Sequence, residues 1–264
     1  MTPAEIVAHR RLVTQGDLSS ADWQQFSTAV KNRAFFSAHV ESARFLDEAR
    51  TVIADILANA KNDDGAYVSR AEAVSRIMQA ARQYGITQGG ETVRDPGSEA
   101  RANVIIDTNA GMAAGYVKAK VSNTYGARLA FPAQELVRIE ERLKPRDWQT
   151  KWKGAGGKLF ERRMIALKDD PIWIKISAFG NPYPPFDFNS GMGLEDVSYD
   201  EAVRLGVIED GYQPPEVSPI DNFDAELESS LEIKDDGVWQ KLKATFGDQI
   251  QLVDGKIQWR PEDD

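Results

Sequence analysis

Cysteine is absent from the chain. That excludes a disulfide scaffold, a Cys-ligated zinc site, an iron–sulfur cluster and a thiol nucleophile. Histidine is nearly absent, with His9 and His39 the only two. A His-rich metal centre and most His-based catalytic triads are disfavoured accordingly. No apolar run approaches the roughly 20 residues needed to span a bilayer. The N-terminal MTPAEIVAHRR lacks the apolar stretch of a signal peptide. The expectation is a soluble protein with no membrane partner, suited to a reducing cytoplasm.

What is present suffices for a core. The 264 residues are 42% hydrophobic and 28% charged, the composition of a folded chain of one or two domains. The net charge of −9 is unevenly distributed. Residues 200–264 hold 17 acidic and 6 basic side chains, whereas 1–199 are nearly neutral. Within the latter, Arg138 to Lys168 carries 10 basic and 4 acidic residues. The pattern predicts a mildly basic body with an acidic C-terminal appendage.

Periodicity predicts a helical N-terminal part. Thr2-Pro3-Ala4-Glu5 is a capping box with Pro at the first helical position, opening a helix that stops by Gly16. Ser19 or Ser20 can cap a short helix carrying Trp23, Phe26 and Val30. Phe36, Val40, Ala43, Leu46, Ile53, Ile56 and Ala60 form one stripe, predicting a long amphipathic helix from Arg33 to Ala60. Ser69-Arg70-Ala71-Glu72 opens a helix ending at Gly85, and Ser98 caps another with Ile105, Thr108, Met112, Tyr116 and Val121 on one face. Gly111 and Gly115 inside it point to close helix packing. Phe131-Pro132 to Lys144-Pro145 is expected to be one more helix.

Beyond it the texture turns to loops and short strands, with a short helix capped by Ser198 and ending at Leu205-Gly206. Gln213-Pro214-Pro215 resembles a linker. A candidate helix (Val238 to Phe246) and a hairpin around Asp254-Gly255 follow.

Motifs for chemistry fail on spacing. Gly154-Ala155-Gly156-Gly157-Lys158 places Trp152 and Leu159 where a phosphate loop needs Gly and Ser or Thr. Asp169, Asp170 and Asp187 are the carboxylates with which a magnesium or calcium site would be built, but Asp169-Asp170-Pro171 also reads as a turn. His39 reads as a packed or surface residue rather than a base. Glu140-Glu141 and Asp235-Asp236 read as solvated charge runs, not the opposed carboxylates of a glycosidase. The basic stretch is interleaved with Trp148, Trp152 and Phe160. Its preferred reading is a loop-rich subdomain with a tryptophan core. Weak backbone contact with DNA through Arg146, Lys151, Lys153 and Lys158 is the alternative.

Two stretches carry a resemblance. The first is Ala34-Phe35-Phe36-Ser37-Ala38-His39-Val40-Glu41-Ser42-Ala43, continuing to Ala60. The second is Pro145-Arg146-Asp147-Trp148, then Met164-Ile165-Ala166-Leu167-Lys168-Asp169-Asp170-Pro171-Ile172-Trp173, then Pro184-Pro185-Phe186-Asp187-Phe188-Asn189-Ser190-Gly191-Met192. Together they resemble phage minor head proteins of the Mu F-like head-morphogenesis family, over residues 20–210. Many members carry Cys after that Asn and a His upstream. Here Ser190-Gly191-Met192 follows, so a metal site built on such a pattern is not expected.

The resemblance implies a structural head component rather than a catalyst, with no cofactor. It implies a place in the virion head, and in the host cytoplasm during assembly. The implied partners are the portal protein, the major capsid protein or the scaffold, with weak contact to packaged DNA. Its signature residues are Trp148, Lys168, Asp170, Pro171, Trp173, Pro184, Pro185, Phe186, Asp187, Phe188 and Asn189, all read as keeping the fold.

The expected architecture is α+β: a helical domain over 1–130, a compact loop-rich α/β module over 131–213 and the acidic appendage over 214–264. The alternatives are a head-carried enzyme, such as an ADP-ribosyltransferase or hydrolase, and a DNA-binding module.

Overall fold

The computed structural model of the chain describes residues 2–10, 12–13, 34–35, 42–62, 65–216, 228–232, 247–253 and 256–259, with a few isolated positions besides. Among them are eight helices and three small sheets, a mixed α+β architecture. The chain divides into two compact units. One comprises Met1–Ala114 with Glu226–Asp264, the other Gly115–Ala225.

In the first unit, α1 (Pro3–His9) starts as the capping box requires: the Thr2 hydroxyl accepts from the Glu5 N–H, and the Glu5 carboxylate accepts from the Thr2 N–H. Strands β1 (Leu12–Val13) and β2 (Ala34–Phe35) pair in parallel. Helix α2 (Ala43–Leu57) is shorter than the apolar stripe predicts. Its start is set by Ser42, whose hydroxyl caps the Phe45 N–H, while Ala34 and Phe35 are drawn into β2. Fifteen residues span about 22 Å, against roughly 40 Å for the expected helix.

The buried face of α2, with Phe45, Leu46, Ala49, Val52 and Ile53, is covered from within the unit by α1 and by α3 (Arg70–Gln83). The apolar stripe of this helix is thus buried within its own unit. Ser69 caps α3 at the Glu72 N–H, and Gly85 closes it at φ +68°. Between α3 and α4 (Glu99–Ser122) the polar loop is organised by one carboxylate. Asp95 accepts from the N–H groups of Gln88, Gly90 and Gly97 and from the Thr87 hydroxyl. The N–H of Gly97 contributes most to holding the Asp95 carboxyl below its ordinary pKa.

Ser98 caps α4 at the Arg101 N–H. Its buried positions are Ala102, Ile105, Ile106, Asn109, Ala113, Tyr116 and Ala119, so Val121, expected on that face, is 68% exposed. In 228–264, β6 (Glu228–Glu232), β7 (Ile250–Val253) and β8 (Lys256–Trp259) form an antiparallel sheet in the order β6-β8-β7. The β7–β8 hairpin has the expected strands, and β6 is an addition that sequence did not indicate. The expected helix with Trp23, Phe26 and Val30 and the His39 position lie outside the described residues, as does most of 238–246.

The second unit holds the second half of the resemblance. After α5 (Tyr125–Ala130), the segment expected to be a helix is the strand β3 (Ala133–Arg138). Its two neighbours explain the difference. β4 (Ile165–Leu167) and β5 (Met192–Val197) both pair antiparallel with it, so its backbone is satisfied on both sides whatever its helix propensity. The rest is short: α6 (Trp148–Gly154), α7 (Ile172–Lys175) and α8 (Tyr199–Arg204). Arg163 stitches the sheet to α8 by pairing with Glu135 at 2.6 Å and Glu201 at 2.5 Å, and hydrogen bonds to both raise its pKa further.

Candidate functional site

Three of the signature residues, Trp148, Trp173 and Phe186, share one core in the second unit. Trp148, Trp152, Trp173 and Phe186 are all buried there with Leu136, Ile172, Ile176 and Met192. Trp173 stands at its centre: 5.2 Å from Trp152, 6.1 Å from Phe186, and donating its indole N–H to the Leu167 carbonyl at 2.7 Å. The turn before it is fixed by Asp170, whose carboxylate accepts from the Ile172 N–H at 2.7 Å, and by Pro171 at the N-cap of α7.

Pro184 and Pro185 are joined by a cis peptide. The Pro184 carbonyl lies where a side chain on Gly115 would project, so the glycine in α4 is what admits the turn. Tyr183 packs edge-to-face on Tyr116 beside it, at 5.9 Å. Phe188 stacks edge-on against Phe179 at 4.7 Å. Asn189 is exposed and sits at φ +49°, a left-handed conformation that Asn adopts more readily than most residues.

Lys168 is the unusual member. It is 4% exposed, yet its ammonium donates to the Ser122 carbonyl at 3.0 Å and pairs with Asp196 at 2.8 Å. Arg128, 1% exposed, donates to the Asn123 carbonyl at 3.1 Å. Both cations thus meet carbonyls at the C-terminal end of the 24-residue α4, where the helix macrodipole favours positive charge. Burial pushes the Lys168 ammonium below the ordinary lysine pKa, and the Asp196 hydrogen bond opposes that shift. Arg128 also reaches the Pro215 and Glu216 carbonyls at 2.6 and 3.4 Å, tying down the segment read as a linker. Sequence reasoning missed Arg128 and Asp196, because partners 87 and 28 residues away leave no local pattern.

The basic candidates separate into two groups. Arg146 and Lys151 both face the Asp187 carboxylate, at 3.6 and 3.7 Å. Arg146 also donates to the Phe188 carbonyl at 2.8 Å, and the Lys151 ammonium lies 4.6 Å above the Trp148 ring. Asp187 therefore belongs to this ion cluster and not to a carboxylate set with Asp169 and Asp170. Lys153 and Lys158 are exposed.

The glycine run before Lys158 is a helix stop. The Gly156 N–H bonds the Lys153 carbonyl, and the Gly157 N–H bonds that of Trp152. Gly156 sits at φ +93°. A side chain at Gly157 would strike the Trp152 indole. Among the described residues, no group of three or more His, Asp or Glu is placed to hold a metal ion.

Comparison with protein-family models, curated proteins and solved structures gives no match to this chain.

Proposed function

We infer that the chain is a non-enzymatic minor head protein of a tailed phage or prophage, recruited during head assembly near the portal. The observation that carries this reading is the resemblance over 34–60, 145–173 and 184–192. In agreement with it, Trp148, Trp173 and Phe186 form one core, Asp170 and Pro171 start α7, and Pro184–Pro185 turns against Gly115. Residues occupied in this way hold a shape for a partner to read. The partners are the portal protein, the major capsid protein or the scaffold. Contact with packaged DNA would fall to Lys153 and Lys158, since Arg146 and Lys151 face Asp187.

The test is genetic. Removing the coding sequence from the source phage should leave the other head proteins made but few DNA-filled heads, with rescue by the wild-type chain in trans. Normal yields of infectious particles without the chain would refute the reading.

A further inference from the structure

One end of the second unit gathers cations around a single carboxylate. Oδ2 of Asp187 lies 3.6 Å from Nε of Arg146 and 3.7 Å from the Lys151 ammonium. Both gaps exceed hydrogen-bond length, so this oxygen sits between two cations and is hydrogen-bonded to neither. The other oxygen, Oδ1, accepts from the Phe188 N–H at 2.8 Å. Arg138 comes from the end of β3 and reaches the Arg146 carbonyl at 3.5 Å. Trp148 is 3% exposed, and the Lys151 ammonium lies over its ring. The nearby carboxylates are engaged elsewhere: Asp147 accepts from the Thr150 N–H and hydroxyl, and Glu140 pairs with Arg142.

Two N–H donors here are enclosed and have no acceptor among the described residues: Nη1 of Arg138 and the indole Nε1 of Trp148. An enclosed donor left unpaired is costly, so both call for an oxygen. Three cations around one carboxylate call for that oxygen to carry negative charge. Arg146 and Lys151, with side chains 46% and 36% exposed, leave the cluster open to solvent. Asp187 narrows the choice of anion. An ionised carboxylate only accepts hydrogen bonds, so an anion beside it must bring a proton. A phosphate near neutral pH keeps an O–H, whereas sulfate and the phosphodiesters of DNA have none.

We propose that this cluster is an oxyanion site for a protonated phosphate group. The phosphate oxygens accept from Arg146 and Lys151 on the solvent side and from the enclosed N–H groups of Arg138 and Trp148. The phosphate O–H donates to Oδ2 of Asp187. The inference goes beyond the head-assembly reading and stands whether or not that reading holds. It is also separate from contact with packaged DNA, whose phosphodiesters lack the proton that Asp187 accepts.

The experiment titrates the full-length, isotope-labelled chain with inorganic phosphate at constant ionic strength and about pH 6, where phosphate and its monoesters keep a proton. NMR follows the Trp148 indole N–H and the backbone amides of Arg146, Lys151, Asp187 and Phe188. Saturable millimolar binding is expected, with the indole resonance moving in step with the amides. Sulfate should bind about tenfold more weakly. Asp187→Asn supplies a donor where the carboxylate only accepts, and should bring the two anions to within about twofold of each other. Lys151→Gln should weaken phosphate about two- to fivefold, as expected of an exposed charge pair. The absence of saturable shifts with phosphate overturns the proposal. So does sulfate binding as tightly as phosphate to the wild-type chain, or a preference for phosphate that survives Asp187→Asn. Methyl phosphate binding as tightly as inorganic phosphate assigns the site to a phosphorylated ligand, and binding about tenfold weaker assigns it to the free ion.

Discussion

Asp196→Asn should destabilise the second unit more than Lys168→Met does, although the aspartate is the more exposed partner. The Lys168 side chain is fully buried, and the Asp196 side chain is 39% exposed. Replacing the carboxylate by an amide leaves a buried ammonium with neutral oxygen acceptors and no counter-charge. Breaking a buried pair from one side costs about 3–5 kcal/mol, and exposure of Asp196 to water scales that to about 1–3 kcal/mol. Lys168→Met removes the buried charge at similar volume. It leaves Asp196 solvated, still accepting from the Ser122 hydroxyl, so its cost is the unpaired Ser122 carbonyl, about 1 kcal/mol.

The pH dependence separates this account from simple loss of packing. Burial lowers the folded-state pKa of Lys168 below its unfolded value. Between the two values the unfolded chain binds more protons, so stability rises as pH climbs through that window. Asp196→Asn lowers the folded value further and widens the window downward, steepening the rise, and Lys168→Met abolishes this contribution. Urea unfolding followed by tryptophan fluorescence at several alkaline pH values reads both effects. A cost for Asp196→Asn below that of Lys168→Met, or the same pH slope in all three proteins, would refute the reasoning.

Three further outcomes are expected. Trp173→Ala and Phe186→Ala should each cost about 3–5 kcal/mol, seen as loss of the cooperative melting of the second unit; unchanged melting curves would refute the core assignment. Gly115→Ala should destabilise the protein even though Ala favours a helix by about 1 kcal/mol, because the new methyl meets the Pro184 carbonyl; a higher melting temperature would show that contact to be wrong. Asp95, its carboxyl held below the ordinary pKa chiefly by the Gly97 N–H, stabilises its loop above the unfolded-state pKa and loses that effect as pH falls through the lower folded value. Amide protection at Gln88, Gly90 and Gly97, taken relative to the intrinsic exchange rate at each pH, should therefore fall in acid, and in Asp95→Ala at neutral pH; protection unchanged in that variant would contradict the role.

Local signals in the sequence were legible, and long-range ones were not. Caps at Thr2, Ser69, Ser98 and Ser198 mark real helix starts, because a cap is made within three residues. Gly85 and Gly206 mark real stops for the same reason. The sequence of β3 does not announce a strand, because its partners lie about 30 and 60 residues downstream and nothing inside it alternates cleanly. The stripe from Phe36 to Ala60 overran because a capping serine interrupts it at residue 42 without disturbing the period. In the second unit the tryptophans announced a core, but the two cations at the end of α4 are defined by Ser122, Asn123 and Asp196, which no motif connects.

The most direct test of the central claim is to count this chain against portal subunits, by quantitative mass spectrometry of purified procapsids and mature particles from the source phage. The account predicts a few to a few tens of copies per particle, scaling with portal, or presence confined to procapsids if the chain leaves after assembly. Absence from both particles would contradict it.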